Sequence, residues 1–583
     1  MIAAAVSAAR AVLALVLLVV FYALVGLLVL VWLAFLVLGL WAAGAPESTA
    51  PPTSVILACA AFAPILAGMV WAVVRTARPA GPAEGTVWVS RRRAPALWAA
   101  VEELADGVGT APPDAIRLTA EVNASVTEDA SFLGLVPGRR TLYLGLPLVV
   151  GLPPAELRAV LAHELGHFSR RHSRFGALAH RGSAGLAAAC EAIRSAAAAN
   201  DLVRMYAGGP LLLLRGYTRV FRWLTRPVRR RQELEADREA ARVAGARTVG
   251  DALRSASALE QAWLEFVAGF LTPVRRTEGR VPDDPFRAFA QLVGAPELRE
   301  RFATLRARAT ERPADRDDPH PDLATRLSRL ARLPDRPGEG GVAEPIEVPS
   351  GYAVELARTL YSGRHPGRHP GLGTTSTMPW RDWLGLLAEH RATRLLGPLA
   401  EAVRTVEKAE GISGEPPRGL TIQRVLRLLD SGRRMPLARA LGSRLPPEER
   451  NEGSGRGPLD LLAEALYVLI GAQLVARGSA HWTMNWTGPG TLVPPEGIAP
   501  ETIRDWADTA VRLPGETQRL GLYVAALEVD ERAPLPGERT RTGRRALTRR
   551  PSPPRSTSHP TWTHPHGDVS PASGCWRSPC CWG

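Results

Sequence analysis

Two apolar runs open the chain. No residue from Ala11 to Pro46 carries a charge, and none from Ser48 to Val74 does. Each run exceeds the roughly 20 residues that a bilayer-spanning helix needs. The first overshoots a hydrocarbon core of about 30 Å at about 1.5 Å per residue, yet is too short for two spans and a turn. The pattern therefore predicts one long tilted helix, the turn APESTAPP, and a second helix holding Pro64. A cleaved signal peptide would pair a shorter apolar core with a polar cleavage region, which is missing here. Arg10 precedes the runs, while Arg75, Arg78, Arg91, Arg92 and Arg93 follow them, and the turn carries Glu47. Positive charge at both outer ends predicts a multi-pass hairpin in the plasma membrane with everything after residue 80 cytoplasmic.

Beyond the linker RPAGPAEG the periodicity changes. Ala94 to Val108 read as an amphipathic helix, and AIRLTAEVNASVTED with RRTLYLGLP read as short strands around a turn at Pro137-Gly138. Helical spacing dominates afterwards. PPAELRAVLAHELGHFSRRH starts with proline in the first turn and an early Glu156, both favourable at a helix start. Gly/Pro-rich breaks at Arg336–Val342 and Ser362–Ser376 precede a second helical region, Trp380 to Asp530. Its apolar stretch Ala465 to Ala476 is shorter than a membrane span and reads as a core helix. The tail from Ala533 onward, rich in Pro, Arg, Ser and Thr, lacks the periodicity to bury a core. The predicted class is mostly α, or α+β, with a small sheet. The expected layout is a transmembrane hairpin (1–80), a middle domain (81–335), a linker (336–379), a helical domain (380–532) and a disordered tail (533–583).

Composition narrows the functional classes. In 583 residues, 46% hydrophobic and 22% charged content fits a chain that buries large cores. The net charge of +14 is almost wholly arginine, since Lys408 is the only lysine, and this bias fits a GC-rich coding sequence. The arginines are spread along the chain without a basic recognition motif, so no nucleic acid is expected as partner. Cys59, Cys190, Cys575, Cys580 and Cys581 show neither zinc-knuckle spacing nor a disulfide framework.

Candidate chemistry sits in LRAVLAHELGHFSRRH. On a helix, His163 and His167 point the same way four residues apart, with Glu164 beside them. A catalytic zinc needs about three protein ligands and an open position for water. The histidines supply two, and Glu164 is placed to take the proton of that water and pass it to a leaving amine. Two residues compete for the third place. Glu191 lies in the alanine-rich AAACEAIRSAAAA, and Glu233 in RRRQELEADREAA with Asp237 one turn later. Asp237 could hold the second ring nitrogen of a ligand histidine, a companion that Glu191 lacks. The longer metzincin pattern fails, because Arg170 and Ser173 stand where its glycine and third histidine would be, and His172 is one position off.

Three stretches in order, LRAVLAHELGHFSRRHS, RRRQELEADREAA and DDPHPDLATRLSRL, resemble the signatures of the HtpX-like and CAAX-prenyl-protease family of membrane zinc metallopeptidases, the gluzincins. The resemblance covers roughly residues 85 to 335, including VNASVTEDA and TLYLGLPLVVGL. It implies a mostly helical domain with a small edge-strand sheet, one zinc ion held by His163, His167 and Glu233, and endopeptidase activity on proteins or peptides. It further implies that His320 stabilises the oxyanion or contacts substrate, and that Asn123, Ala124 and Ser125 lie on the strand where substrate is laid, pairing through its main chain. Three departures stand out. Arg229 replaces a frequent serine, which should matter little to the metal. Arg181, Glu191, Arg194, Asp201 and Arg204 interrupt the region where HtpX proper has a second pair of spans. The many-helix chamber of the prenyl proteases is absent, which puts prenylated substrates in doubt.

Arg215, Arg219, Arg222 and Arg226 share one helical face, opposite Tyr217, Phe221, Leu224 and Val228, and Pro227 is expected to end or kink that helix. Such a helix suits either the lipid interface, with membrane lipid as partner, or packing on the protease core. The leading expectation is thus a membrane-anchored zinc endopeptidase acting on membrane or misfolded proteins. The alternative is a catalytically silent membrane scaffold or partner-binding module, although no residue of the motif has been lost. A nucleic-acid-associated regulator rests on arginine content alone.

Overall fold

A computed structural model describes residues 2–43, 52–77, 83–129, 138–168, 174–199, 201–311, 321–334, 343–361, 376–411, 419–445, 457–488 and 490–535. The turn at 44–51, Pro137, His172, His320, the segments 335–342 and 362–375, and the tail from 536 lie outside the described residues. The chain is mostly helical with small sheets and divides into two compact units. Among the described residues, one holds those within 1–269 and 283–375, the other Phe270–Pro282 and those within 376–535.

In the first unit the long apolar run forms helix α1 (Ile2–Ala43), and α2 (Pro52–Ala77) continues through Pro64. Within α1, Leu15–Ala42 is a 28-residue stretch long and apolar enough to cross a membrane. Most of its side chains face outward, Leu30 and Val37 among them, while Leu18, Phe21 and Val25 are buried.

A four-stranded sheet follows, in the order β1-β2-β4-β3, from β1 (Val87–Trp88), β2 (Ala115–Thr119), β3 (Ala124–Glu128) and β4 (Arg140–Gly145). β2 and β4 run parallel, and β3 is an antiparallel edge strand with Ser125 opposite Tyr143. Helix α3 (Pro95–Val108) matches the amphipathic segment and buries Leu97, Val101 and Leu104. A short α4 (Leu146–Gly151) leads into α5 (Pro154–Gly166), which carries the His-Glu-x-x-His motif and packs against β3, α3 and two later helices.

After α5 the chain forms α6 (Arg174–Ala199), α7 (Asp201–Tyr206) and α8 (Gly208–Ala244). The sequence offered no clean second pair of spans here, and the structure shows why these helices form regardless. Leu186, Ala189, Ile193, Leu214, Phe221 and Leu224 bury one core with Leu18, Phe21 and Val25 of α1 and Ile65 of α2. The apolar face of the arginine-bearing helix is therefore covered by protein, with Phe221 1% exposed. Nor does Pro227 end the helix; α8 runs through it for 37 residues, so the arginine segment and the one holding Glu233 are a single element.

The rest of this unit comprises α9 (Ala246–Phe266), α11 (Pro285–Gly294), α12 (Arg299–Arg308), α13 (Leu323–Leu330) and α14 (Ser350–Tyr361). Helix α14 falls inside the interval expected as a linker. It buries Tyr352, Leu356 and Leu360, and the Tyr352 hydroxyl accepts from the Ser90 amide at 3.0 Å, which ties it to the unit.

The second unit contains α10 (Thr272–Glu278), α15 (Trp380–Ala392), α16 (Leu396–Ala409), α17 (Ile422–Asp430), α18 (Arg434–Gly442), α19 (Pro458–Ala476), α20 (Pro500–Arg512) and α21 (Glu516–Ala526). Strand pairs β5–β6 (Arg280–Pro282 with Ser376–Met378) and β7–β8 (His481–Thr483 with Thr491–Val493) complete it. Helix α19 has the length of a span, yet Leu462, Leu466, Leu469, Ile470 and Leu474 lie at 0% exposure in the centre of this core. It is the core helix expected from the short apolar stretch Ala465 to Ala476.

Candidate metal centre

The site is built where α5 crosses α8. A Cβ placed on Gly166, the glycine of HELGH, would lie 3.3 Å from the Ala236 Cα, so the two helices touch with almost nothing between them. That approach brings the i and i+4 histidines of α5 against the acidic face of α8. His163 is 3% exposed, Glu164 and Glu233 8% each and Asp237 2%. Nε2 of His163 lies 3.6 Å from one Glu233 carboxylate oxygen, and Nε2 of His167 lies 3.6 Å from the other. One ligand atom from each of the three falls within 4.8 Å of the rest.

This donor set fits zinc. Tetrahedral ligands about 2.0–2.1 Å from a common centre stand about 3.4 Å apart, close to the spacing seen here. The outer contacts choose the tautomer. The Asp237 carboxylate lies 3.0 Å from His163 Nδ1, so that nitrogen carries its hydrogen toward Asp237 and leaves Nε2 to bind a metal. Glu191 plays no part in the cluster: it pairs with Arg194 at 2.7 Å, with its side chain 46% exposed.

Arg326 was not singled out in the sequence. It reaches from α13 and donates from Nε at 2.9 Å and Nη2 at 2.6 Å to the two oxygens of Asp237. Its side chain is 6% exposed, and Nη2 lies 3.5 Å from the His163 ring nitrogens. Burial alone would raise the Asp237 pKa, but Arg326 and His163 outweigh it and hold the group well below the usual carboxylate range. Burial would likewise lower His163, yet its bonds to Asp237 and Glu233 prevail and push it up to about 9 without metal. The only available signal was position: Arg326 sits in LATRLSRL, the third of the ordered stretches, four residues after the Asp322 cap.

Ala124 and Ser125 open edge strand β3, which packs beside α5, and Asn123 immediately precedes it. The Asn123 carbonyl accepts from Gly145 at 2.7 Å, and its side-chain Oδ1 is buried without a hydrogen-bond partner. His320 is outside the described residues, although Asp322, two positions on, caps α13 by accepting from the Thr325 amide at 2.7 Å.

Residues 91–333 match the family model of peptidase family M48, inside the interval in which the three motifs resemble the HtpX-like and CAAX-prenyl-protease enzymes. This segment belongs to peptidase family M48. M48 is a family of zinc metallopeptidases, and the M48 segment contains both helices that build the cluster. No curated protein and no solved structure matches the chain.

Proposed function

We propose that the chain is a membrane-anchored zinc endopeptidase whose metal is held by His163, His167 and Glu233. The observation that carries this reading is the convergence of these three side chains on one point, with Glu164 buried beside them. Bound zinc supplies the Lewis acidity that makes water a nucleophile at neutral pH. Glu164 is the general base that accepts that water's proton and returns it to the leaving amine. Asp237 orients His163 and Arg326 fixes Asp237. Strand β3, with Asn123, Ala124 and Ser125, offers an extended substrate an edge with which to pair, and His320 is assigned to the oxyanion.

The anchor is α1, with α2 returning the chain, so that both ends of the hairpin are cytoplasmic in the plasma membrane. The proposed layout keeps a membrane hairpin to about residue 80, a peptidase domain to about 335 and a helical domain from about 380. Substrates are membrane or misfolded proteins; zinc, lipid and polypeptide are the partners, and no nucleic acid is needed.

The test is metal analysis and casein cleavage with the full chain in neutral detergent, wild type beside Glu164→Gln. The amide keeps the shape and removes the base, so zinc should stay while turnover falls about 10²-fold or more. Turnover near wild type in this variant would refute the mechanism, and a wild-type protein without zinc would refute the site.

A further inference from the structure

The flank of α8 next to the one bearing Glu233 faces a second concavity. Pro227, Arg230, Arg231, Leu234 and Arg238 of α8 form one wall, and Pro321, Asp322, Thr325 and Arg329 form the other, around a cleft of about 490 Å³. None of its lining residues belongs to the His163, His167 and Glu233 cluster. Four arginines and two carboxylates, Glu235 and Asp322, line it, leaving a net charge of +2. Both carboxylates are engaged: Glu235 pairs with Arg231 at 2.7 Å, and Asp322 accepts from the Thr325 amide and, at 2.9 Å, from its hydroxyl. Arg238 and Arg329 are exposed at the mouth.

The cleft also continues a longer feature. Arg215, Arg219, Arg222, Arg226 and Arg230 follow one another at helical spacing along α8, and the first three are exposed. Leu212 (71% exposed) and Leu213 (77%) precede them, and Val220 (50%) and Trp223 (59%) stand between them. The opposite side of this half is packed on α1, where the Tyr217 hydroxyl donates to the Leu17 carbonyl, near the start of the apolar stretch. Outward apolar side chains interleaved with arginine suit the boundary between acyl chains and headgroups. The arginine ladder thus runs from that boundary into the cleft.

We propose that this cleft binds a phosphate group, with the guanidinium forks of Arg238 and Arg329 closing on its oxygens beside Arg230 and Arg231. An anionic phospholipid headgroup and a free phosphate share this chemistry. The lipid source rests on the membrane reading above, whereas the cleft itself does not.

The test uses the full chain in neutral detergent, titrated by calorimetry with inorganic phosphate, with soluble dibutanoyl phosphatidylglycerol, and with the phosphatidylcholine analogue. Wild type should bind the two anionic probes saturably. R238Q/R329Q should bind them about tenfold more weakly or worse, which corresponds to about 1.4 kcal/mol. R404Q/R427Q, which removes the same charge from exposed positions of the second unit, should bind as wild type does. Phosphatidylglycerol binding more tightly than phosphate and phosphatidylcholine assigns a lipid headgroup; phosphate binding as tightly assigns the free ion and overturns the lipid source. No saturable binding by wild type, or equal loss in both double variants, overturns the cleft. Zinc content and flotation with liposomes, measured on the same preparations, report separately on the peptidase and membrane readings and should be unchanged in R238Q/R329Q.

Discussion

Replacing Arg326 by methionine should unseat the metal without touching a metal ligand. The side chain keeps its length but loses two charge-assisted hydrogen bonds to Asp237, at 2.9 and 2.6 Å, in a pair whose side chains are 6% and 3% exposed. Removing one partner of a buried pair leaves an uncompensated charge and costs about 3–5 kcal/mol. Some of that loss reaches zinc, because Asp237 then holds His163 Nδ1 without being held itself. Loss of an outer partner of a ligand histidine weakens metal binding by about 10–100-fold, or about 1.4–2.8 kcal/mol. Competition against a chromophoric chelator gives the affinity, and thermal denaturation with and without zinc gives the stability. Adding Asp237→Asn should recover part of the lost stability, since the stranded charge disappears, so the double variant should cost less than the sum of the singles. An Arg326→Met protein with wild-type zinc affinity and melting temperature, or strictly additive single effects, would refute the argument that Arg326 acts through Asp237.

Other expectations are simpler. Glu191→Ala should keep zinc, because Glu191 pairs with Arg194 away from the cluster, whereas Glu233→Ala should lose it; metal analysis distinguishes them, and zinc loss in the Glu191 variant alone would reverse the ligand assignment. A tag in the 44–51 turn should be reached from outside the cell while a reporter fused at Ala80 reads as cytosolic, and the opposite pair of results would place the active site outside. Burial raises the Glu156 pKa, so the folded protein holds that proton more tightly than the unfolded chain does. Its charge therefore opposes folding above the folded pKa, and the opposition fades as pH falls through it. Glu156→Gln should raise the melting temperature more at about pH 8 than at about pH 4.5, and an equal gain at both would remove the burial argument.

The histidine pair could be read from the sequence because a period of 3.6 residues places i and i+4 together without tertiary information. Glu233 and Asp237 were legible for the same reason, as neighbours one turn apart. Arg326 was not, since its bonds reach back 89 residues to Asp237, and a lone arginine in an arginine-rich chain carries no local mark. Helix α14 was obscured by Gly/Pro-rich sequence on either side, although Tyr352, Leu356 and Leu360 repeat at helical spacing. The association of α6 and α8 with the first two helices was hidden by charges read as interruptions. Most of those charges face outward, while small residues make the contact: a Cβ on Gly182 would lie 2.7 Å from the Phe221 ring and 3.1 Å from Leu18.

Because α8 is unbroken, it behaves as a lever with its load at one end. Phe221 is clamped among α1 and α6, and Glu233 sits twelve residues further along, about 18 Å at the α-helical rise. A tilt of only about 3° about the clamp would swing the carboxylate by about 1 Å, and a misplacement of that size costs a catalytic site about 10²-fold. Pro227, between clamp and load, lacks the amide hydrogen that would bond the Trp223 carbonyl, so the lever is softest at mid-length. On the proposed membrane-anchored reading, bilayer thickness sets the inclination of α1 and is thereby geared to the placement of Glu233, the proposed third ligand.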